Sequence, residues 1–262
     1  MAIDLKSLKK TRAVQAPRIV LFGVPGIGKS TFAASATDPI YQATEDIGPI
    51  EMTPLPYGES FQDVIDNLEA VANQEHDFQT YVLDSLSAFE RAIWRHVATQ
   101  ANKASIEDLG YGKGYTLALD HWRTFLDGCD YIRNQKNMSI ILLAHCEVER
   151  FNSPLTEPYD QYRPALHKSA SQFIRQWADA VLFVNYQTFI RKEDAGFNKQ
   201  IIRGVGSGER ILHTTERPGY LAKNRYSLPD EMPFDWDNLM GAISAYLNPP
   251  KTQSTATKKE AA

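Results

Sequence analysis

One nine-residue stretch, Gly23-Val24-Pro25-Gly26-Ile27-Gly28-Lys29-Ser30-Thr31, constrains this chain more than any other. It fits G-x-x-x-x-G-K-[ST], the phosphate-binding P-loop, and its flanks fit as well. Before it, Arg18-Ile19-Val20-Leu21-Phe22 is a short apolar, β-branched run that reads as a buried strand. After it, Ser30 to Ala36 reads as the first turns of a helix. Glycines let backbone N–H groups turn inward around phosphates with no Cβ in the way, and the helix N-terminus adds partial positive charge beneath them. In that arrangement Lys29 reaches the β- and γ-phosphates and the Ser30 hydroxyl ligates Mg²⁺. The bland alternative is a glycine turn before an ordinary helix.

The rest of the chain reads as an α/β protein with a doubly wound, mainly parallel sheet. Apolar runs at 40–44, 80–84, 138–144 and 180–184 alternate with segments of helical spacing at about 60–73, 85–100, 116–134 and 169–177. Residues 102–115 and 147–168 read as irregular loops, the second carrying Pro154, Pro158 and Pro164. Beyond Thr188 the period changes: 188–191, 200–203 and 210–214 read as short strands, a C-terminal antiparallel β extension, before a last helix at 238–247. Residues 1–16 are expected to form an arm that packs on a neighbouring subunit or frays, 17–247 the P-loop domain, and 248–262 a disordered tail. A net charge of −4 gives no global nucleic-acid signature, so any such contact is expected to be local. Two cysteines and the lack of an apolar leader or membrane-length run give an expected cytoplasmic location with no membrane partner.

In doubly wound sheets ligands bind at the carboxyl ends of the strands. Here those ends carry Gly23, Glu45, Asp84 and His145. Asp84 closes Tyr81-Val82-Leu83-Asp84, a Walker B pattern, and is expected to hold Mg²⁺ opposite Ser30, an ordinary strand-end cap being the alternative. Glu45 is placed to accept a proton from, or orient, the water attacking a γ-phosphate; Asp46 has the same chemistry. His145 is placed either to contact the γ-phosphate and report it to the loop beyond, or to be satisfied by backbone.

Taken in order, Gly23–Thr31, Thr44-Glu45, Val82-Leu83-Asp84-Ser85 and Ile141-Leu142-Leu143-Ala144-His145 resemble the RecA-like ATPases. More closely the chain is similar to phage P-loop nucleotide-binding proteins described as AAA-type ATPases, which include the RecA-like branch of the Sak single-strand annealing proteins. Gly110–Tyr115, Ala144 to Phe151, Gly204–Arg210 and Ala222–Tyr226 share in that resemblance, which spans about 17–245. It implies a catalytic role for Glu45 and ATP with Mg²⁺ as cofactors. It implies self-association into a ring or filament, with Lys223 and Arg225 inserted against the γ-phosphate of the next subunit. Arg203 and Arg210 are further candidates for that role, and solvated surface is the alternative for the Lys223/Arg225 pair.

The same resemblance places single-stranded DNA on two loops, offering Tyr111 and Lys113 on one, and Arg150, Phe151, Tyr162, Arg163 and Lys168 on the other. Cations track phosphates while aromatics stack on bases. Glu147, Glu149, Glu157 and Asp160 nearly neutralise the second loop, which leaves a nucleotide lid or a subunit contact open. The expected activity is thus a phage-type ATPase in recombination or annealing, with a single-strand-binding protein as a further partner. The rivals are a nucleotide-gated replication or packaging accessory acting on a protein, and a small-molecule phosphotransferase, which the absence of an Arg-rich lid disfavours.

Overall fold

The computed structural model describes residues 14–194 and 200–249, with the side chains of 188–207 outside that description. Most of the expected arm and tail therefore lie outside the described residues, as does the side chain of Arg203. The sheet is built on β1 (Arg18–Gly23), whose residues alternate between two apolar layers. Val20 and Phe22 face one layer; Ile19 and Leu21 face the other, as a strand with a two-residue side-chain period requires. β2 (Pro39–Ala43), β3 (Thr53–Pro54), β4 (Thr80–Asp84), β5 (Ser139–Phe151) and β7 (Ala180–Asp194) join β1 in parallel, in the order β7-β1-β5-β4-β2-β3. β8 (Gln200–His213) and β10 (Glu231–Pro233) extend the β7 edge in antiparallel fashion. The expected mainly parallel sheet with an antiparallel C-terminal extension is what the chain forms.

One face is covered by α2 (Phe61–Asn73), α3 (Leu86–Gln100), α4 (Lys113–Lys136) and α5 (Lys168–Trp177), which supply Leu68, Phe89, Trp122, Phe125 and Ile174 to the larger apolar layer. The other face is covered by the six-residue α1 (Lys29–Ala34) and by α6 (Trp236–Leu247), through Phe32, Trp236 and Leu239. The helices start where their caps dictate. Ser60 and Asp63 form a capping box on α2, Ser85 accepts from the Ala88 N–H, and Asp235 accepts from the Asn238 N–H.

Three loop expectations are corrected. The segment 147–168 is not one loop: β5 runs on to Phe151 and turns back as β6 (Tyr159–Pro164), with Cys146 opposite Pro164 and Phe151 opposite Tyr159. Pro164 sits at the last position of its strand, where no ladder donor is lost to a further neighbour. The short strands expected beyond Thr188 are instead the long β7–β8 hairpin, with Gly204 and Gly206 paired inside it. Finally, α4 begins at Lys113, so Lys113 and Tyr115 belong to its first turn and not to the loop.

Candidate nucleotide site

The ends of β5, β4 and β2 bring polar side chains to the same edge of the sheet as Gly23. Gly23 is the register partner of His145 on β5 and of Val184 on β7. A Cβ on Gly23 would lie 2.3 Å from the Val184 carbonyl oxygen, so only glycine closes this strand before the loop. Asp84 ends β4 opposite Ala43, and Glu45 follows β2 by two residues. Thr44 ties the two ends together, its N–H donating to the Asp84 carbonyl at 2.8 Å and its hydroxyl to the Ser85 carbonyl at 2.9 Å.

The expected Ser30–Asp84 juxtaposition is present: Ser30 Oγ donates to Asp84 Oδ2 at 2.5 Å. Tyr41, a buried residue of β2, donates its hydroxyl to the same oxygen at 2.6 Å. Burial pushes the Asp84 carboxyl above its usual range, while hydrogen bonds from Ser30 and Tyr41 pull against that. Burial likewise lowers the Lys29 ammonium from its ordinary value. Lys29 Nζ donates to the carbonyls of Gly23 at 3.0 Å and Val24 at 3.3 Å, within its own loop. A hydroxyl and a carboxylate within hydrogen-bond distance, beside an ammonium held by carbonyls of its own loop, form an oxygen donor set suited to a small hard cation carrying phosphates. Among the described residues no cluster of three or more His, Cys, Asp or Glu competes for a metal. The residues thus fit Mg²⁺ with a nucleotide phosphate completing its ligands.

Glu45 and His145 meet directly: His145 Nε2 lies 2.8 Å from Glu45 Oε1. Burial raises the Glu45 carboxyl, but hydrogen bonds from His145 and Ser85 outweigh it and hold the group below its ordinary value. The His145 N–H also donates to Ser87 Oγ at 3.2 Å, and its carbonyl accepts from Ala165, closing the base of the β5–β6 hairpin. His145 is therefore both a strand-end residue satisfied through its backbone and a partner of Glu45.

The remaining expected residues divide. Tyr111 stands fully exposed at φ +49° between Gly110 and Gly112, both also at positive φ. Lys113 and Lys168 are exposed. Arg150 pairs with Asp160 at 3.2 Å, and Arg163 pairs with Glu149 at 2.9 Å while lying over the Phe151 ring. Tyr162 stacks on Phe183, 5.1 Å between ring centres, and so turns toward the core rather than toward a ligand. Arg163 and Lys168 line a cleft of about 490 Å³ between the hairpin and α5, separate from the P-loop.

Lys223 and Arg225 stand at the other end of the sheet. Lys223 lies in β9 (Lys223–Asn224), which pairs with Ala180 and Val181 at the start of β7, the opposite end from Gly23. Its ammonium donates to the carbonyls of Arg175, Gln176 and Ala178, capping the C-terminus of α5. Arg225 pairs with Asp179 at 3.1 Å, a carboxylate that Arg18 and Arg133 also hold. The pair is thus built into the fold rather than displayed on a loop.

Three site-side residues were not legible in the sequence. Tyr41 reads as an ordinary core aromatic, and Arg210 as a further candidate for a neighbour's γ-phosphate, whereas it reaches the Ile27 carbonyl of its own P-loop. Glu90 reads as the polar face of a helix. It is buried, accepts from the His167 N–H at 2.9 Å through Oε2, and its Oε1 finds no partner among the described residues. Burial raises its carboxyl to about 7.

A glycine loop between a buried strand and a helix, with a carboxylate at the end of β4 within reach of its serine, defines a P-loop NTPase. The chain belongs to the AAA domain family, whose model matches residues 15–226. A search of curated proteins gives no match. Among solved structures the chain is similar to a crystal structure of the RadB recombinase, at 14% identity and a TM-score of 0.42 over 80% of this chain and 92% of that one. No described helix is long and apolar enough to cross a membrane.

Proposed function

We propose that the chain is a Mg²⁺-dependent ATPase whose nucleotide state governs its hold on single-stranded DNA, in annealing or strand exchange of the phage type. The observation that carries this reading is the position of His145. It is the register partner of Gly23, touches Glu45, and roots the β5–β6 hairpin. A change at the γ-phosphate position thereby has a direct covalent route into the hairpin.

In this reading Lys29 releases the Gly23 and Val24 carbonyls to take phosphate oxygens, while Gly26, Gly28, Ser30 and Thr31 supply backbone amides. Ser30 and Asp84 hold the cation, and Glu45 orients the attacking water. Tyr111 and Phe151 offer stacking faces and Lys113 and Lys168 the charges for a strand. Lys223 and Arg225 serve a neighbouring subunit only where assembly frees them from α5 and Asp179, so assembly and hydrolysis would rise together.

A second reading is favoured by the hairpin's own chemistry. Arg150 and Arg163 are internally paired, and Val148 and Leu155 are exposed there. Such a surface suits a protein partner, making the chain a nucleotide-gated accessory. ATPase rate against protein concentration, with and without single-stranded DNA, tests the choice using wild type and Lys29→Ala. Stimulation by DNA that Lys29→Ala abolishes supports the first reading; a rate indifferent to DNA, with no DNA binding, overturns it in favour of the second.

A further inference from the structure

We infer that Arg210 is a cis positioning residue for the P-loop, holding the Ile27–Gly28 peptide in the orientation that presents the Gly28 N–H to a nucleotide phosphate. The inference rests on the ATP-binding reading above and concerns how that site is kept ready.

Arg210 comes from β8, opposite Tyr186 of β7, and reaches back to its own chain's P-loop rather than to a neighbour. Its Nη1 donates to the Ile27 carbonyl at 3.3 Å. In a planar trans peptide the C=O and the following N–H point in opposite directions. Holding the Ile27 carbonyl outward therefore turns the Gly28 N–H inward, where a phosphate-cradling amide must point. Left alone, that peptide has little to fix it, because Gly28 sits at φ +98° and glycine populates several conformations at similar cost.

The guanidinium is itself held in place. It lies over the Phe234 ring at 5.5 Å, and Phe234 stacks on Phe32 with 4.5 Å between ring centres and 9° between planes. Phe32 belongs to α1, the helix that the P-loop opens. The contacts close a ring on the outer side of the loop, from Ile27 to Arg210, Phe234 and Phe32 and back along α1. A carbonyl and an aromatic face leave the guanidinium its charge, which adds to the field at the phosphates. The fit also explains Gly28 a second time: a Cβ there would lie 2.7 Å from Arg210 Nη1.

Two measurements on the full chain test this, using Arg210→Ala, Arg210→Lys and Lys29→Ala. The first is titration with a fluorescent ATP analogue and Mg²⁺. Arg210→Ala is expected to weaken binding about tenfold, the loss of one charged hydrogen bond, and Arg210→Lys to recover part of it. The second is hydrogen exchange in the nucleotide-free protein, where Arg210→Ala is expected to speed exchange of the amides of residues 26–30 while strands β1 and β5 stay protected. Wild-type affinity and unchanged P-loop exchange in Arg210→Ala overturn the inference. So does equal weakening in the Ala and Lys variants accompanied by faster exchange across β1 and β5, which marks a general loss of fold. If wild type binds no analogue, the ATP reading fails, and the exchange result alone then upholds or removes the bracing of the loop.

Discussion

Tyr41 and Asp84, on neighbouring parallel strands, share a hydrogen bond of 2.6 Å, made to the same oxygen that Ser30 contacts at 2.5 Å. When Ser30 turns its oxygen to a cation, Tyr41 remains to keep the carboxylate charged in a buried place. Tyr41→Phe removes that donor, and burial then raises the Asp84 carboxyl further. The acid limb of Mg²⁺-dependent nucleotide binding is expected to move to higher pH, followed by titrating binding against pH. An unchanged limb would show that Tyr41 does not act on Asp84.

Glu45 is held below its ordinary value largely by His145, against burial. Glu45→Gln is expected to slow single-turnover ATP hydrolysis about 100-fold or more with nucleotide affinity retained. His145→Ala leaves burial less opposed, so the acid limb of hydrolysis is expected to shift to higher pH. Single-turnover rates against pH check both, and equal loss of binding and hydrolysis in Glu45→Gln would count against a water-orienting role.

Glu90 links stability to pH. Its carboxyl stands at about 7 in the folded protein against an ordinary 4.5. The folded state thus holds the proton more tightly than the unfolded chain. The benefit is complete below the unfolded value and is lost as pH rises through 7, at a cost on the order of 3 kcal/mol. Glu90→Gln, which stays neutral, is expected to flatten the dependence of Tm on pH between 5 and 8. A wild-type slope retained in that variant would assign the dependence elsewhere.

Tyr111 is displayed by backbone that only its two glycine neighbours make affordable. Tyr111→Ala is expected to weaken binding of an oligothymidine about tenfold, one lost stacking face, with the affinity for nucleotide unchanged. Fluorescence anisotropy measures it; equal affinity in both proteins would remove the loop from the DNA path.

Asp179, buried among Arg18, Arg133 and Arg225, is expected to be far less replaceable than Arg225. Asp179→Ala removes the carboxylate shared by three cations, of which only Arg18 keeps another among the described residues, Asp130, and should lower stability by about 3 kcal/mol. Arg225→Ala, half exposed, should cost no more than about 1 kcal/mol. Thermal melts decide the first point. A stable Arg225→Ala that has lost the rise of ATPase rate with protein concentration would establish its action on a neighbour.

The parallel sheet was legible because its strands are fully buried and so read as unbroken apolar runs, Ile19 to Phe22 and Ile140 to Ala144 above all. The P-loop and Asp84 were legible because local spacing sets their chemistry. The β5–β6 hairpin was not: Pro154 and Pro158 lie in its turn, and its polar, half-exposed strands mimic a loop. Tyr41, Glu90 and Arg210 gain their roles from neighbours far away in sequence, Arg210 from Ile27 across 183 positions. Val148-Glu149-Arg150-Phe151, with apolar residues at both ends of a charged pair, offered only a faint strand signal.

β5 passes from the middle of the sheet into the hairpin without a break, from Ser139 to Phe151. Phe151 lies six residues beyond His145, a reach of about 20 Å for an extended strand. With no joint along the way, the strand works as an oar held in its lock: a tilt of a few degrees at the phosphate end sweeps the outer blade by an ångström or more. In the proposed ATP-driven reading, a displacement at the nucleotide would need no relay of side chains to reach the far end, because the backbone of β5 is continuous.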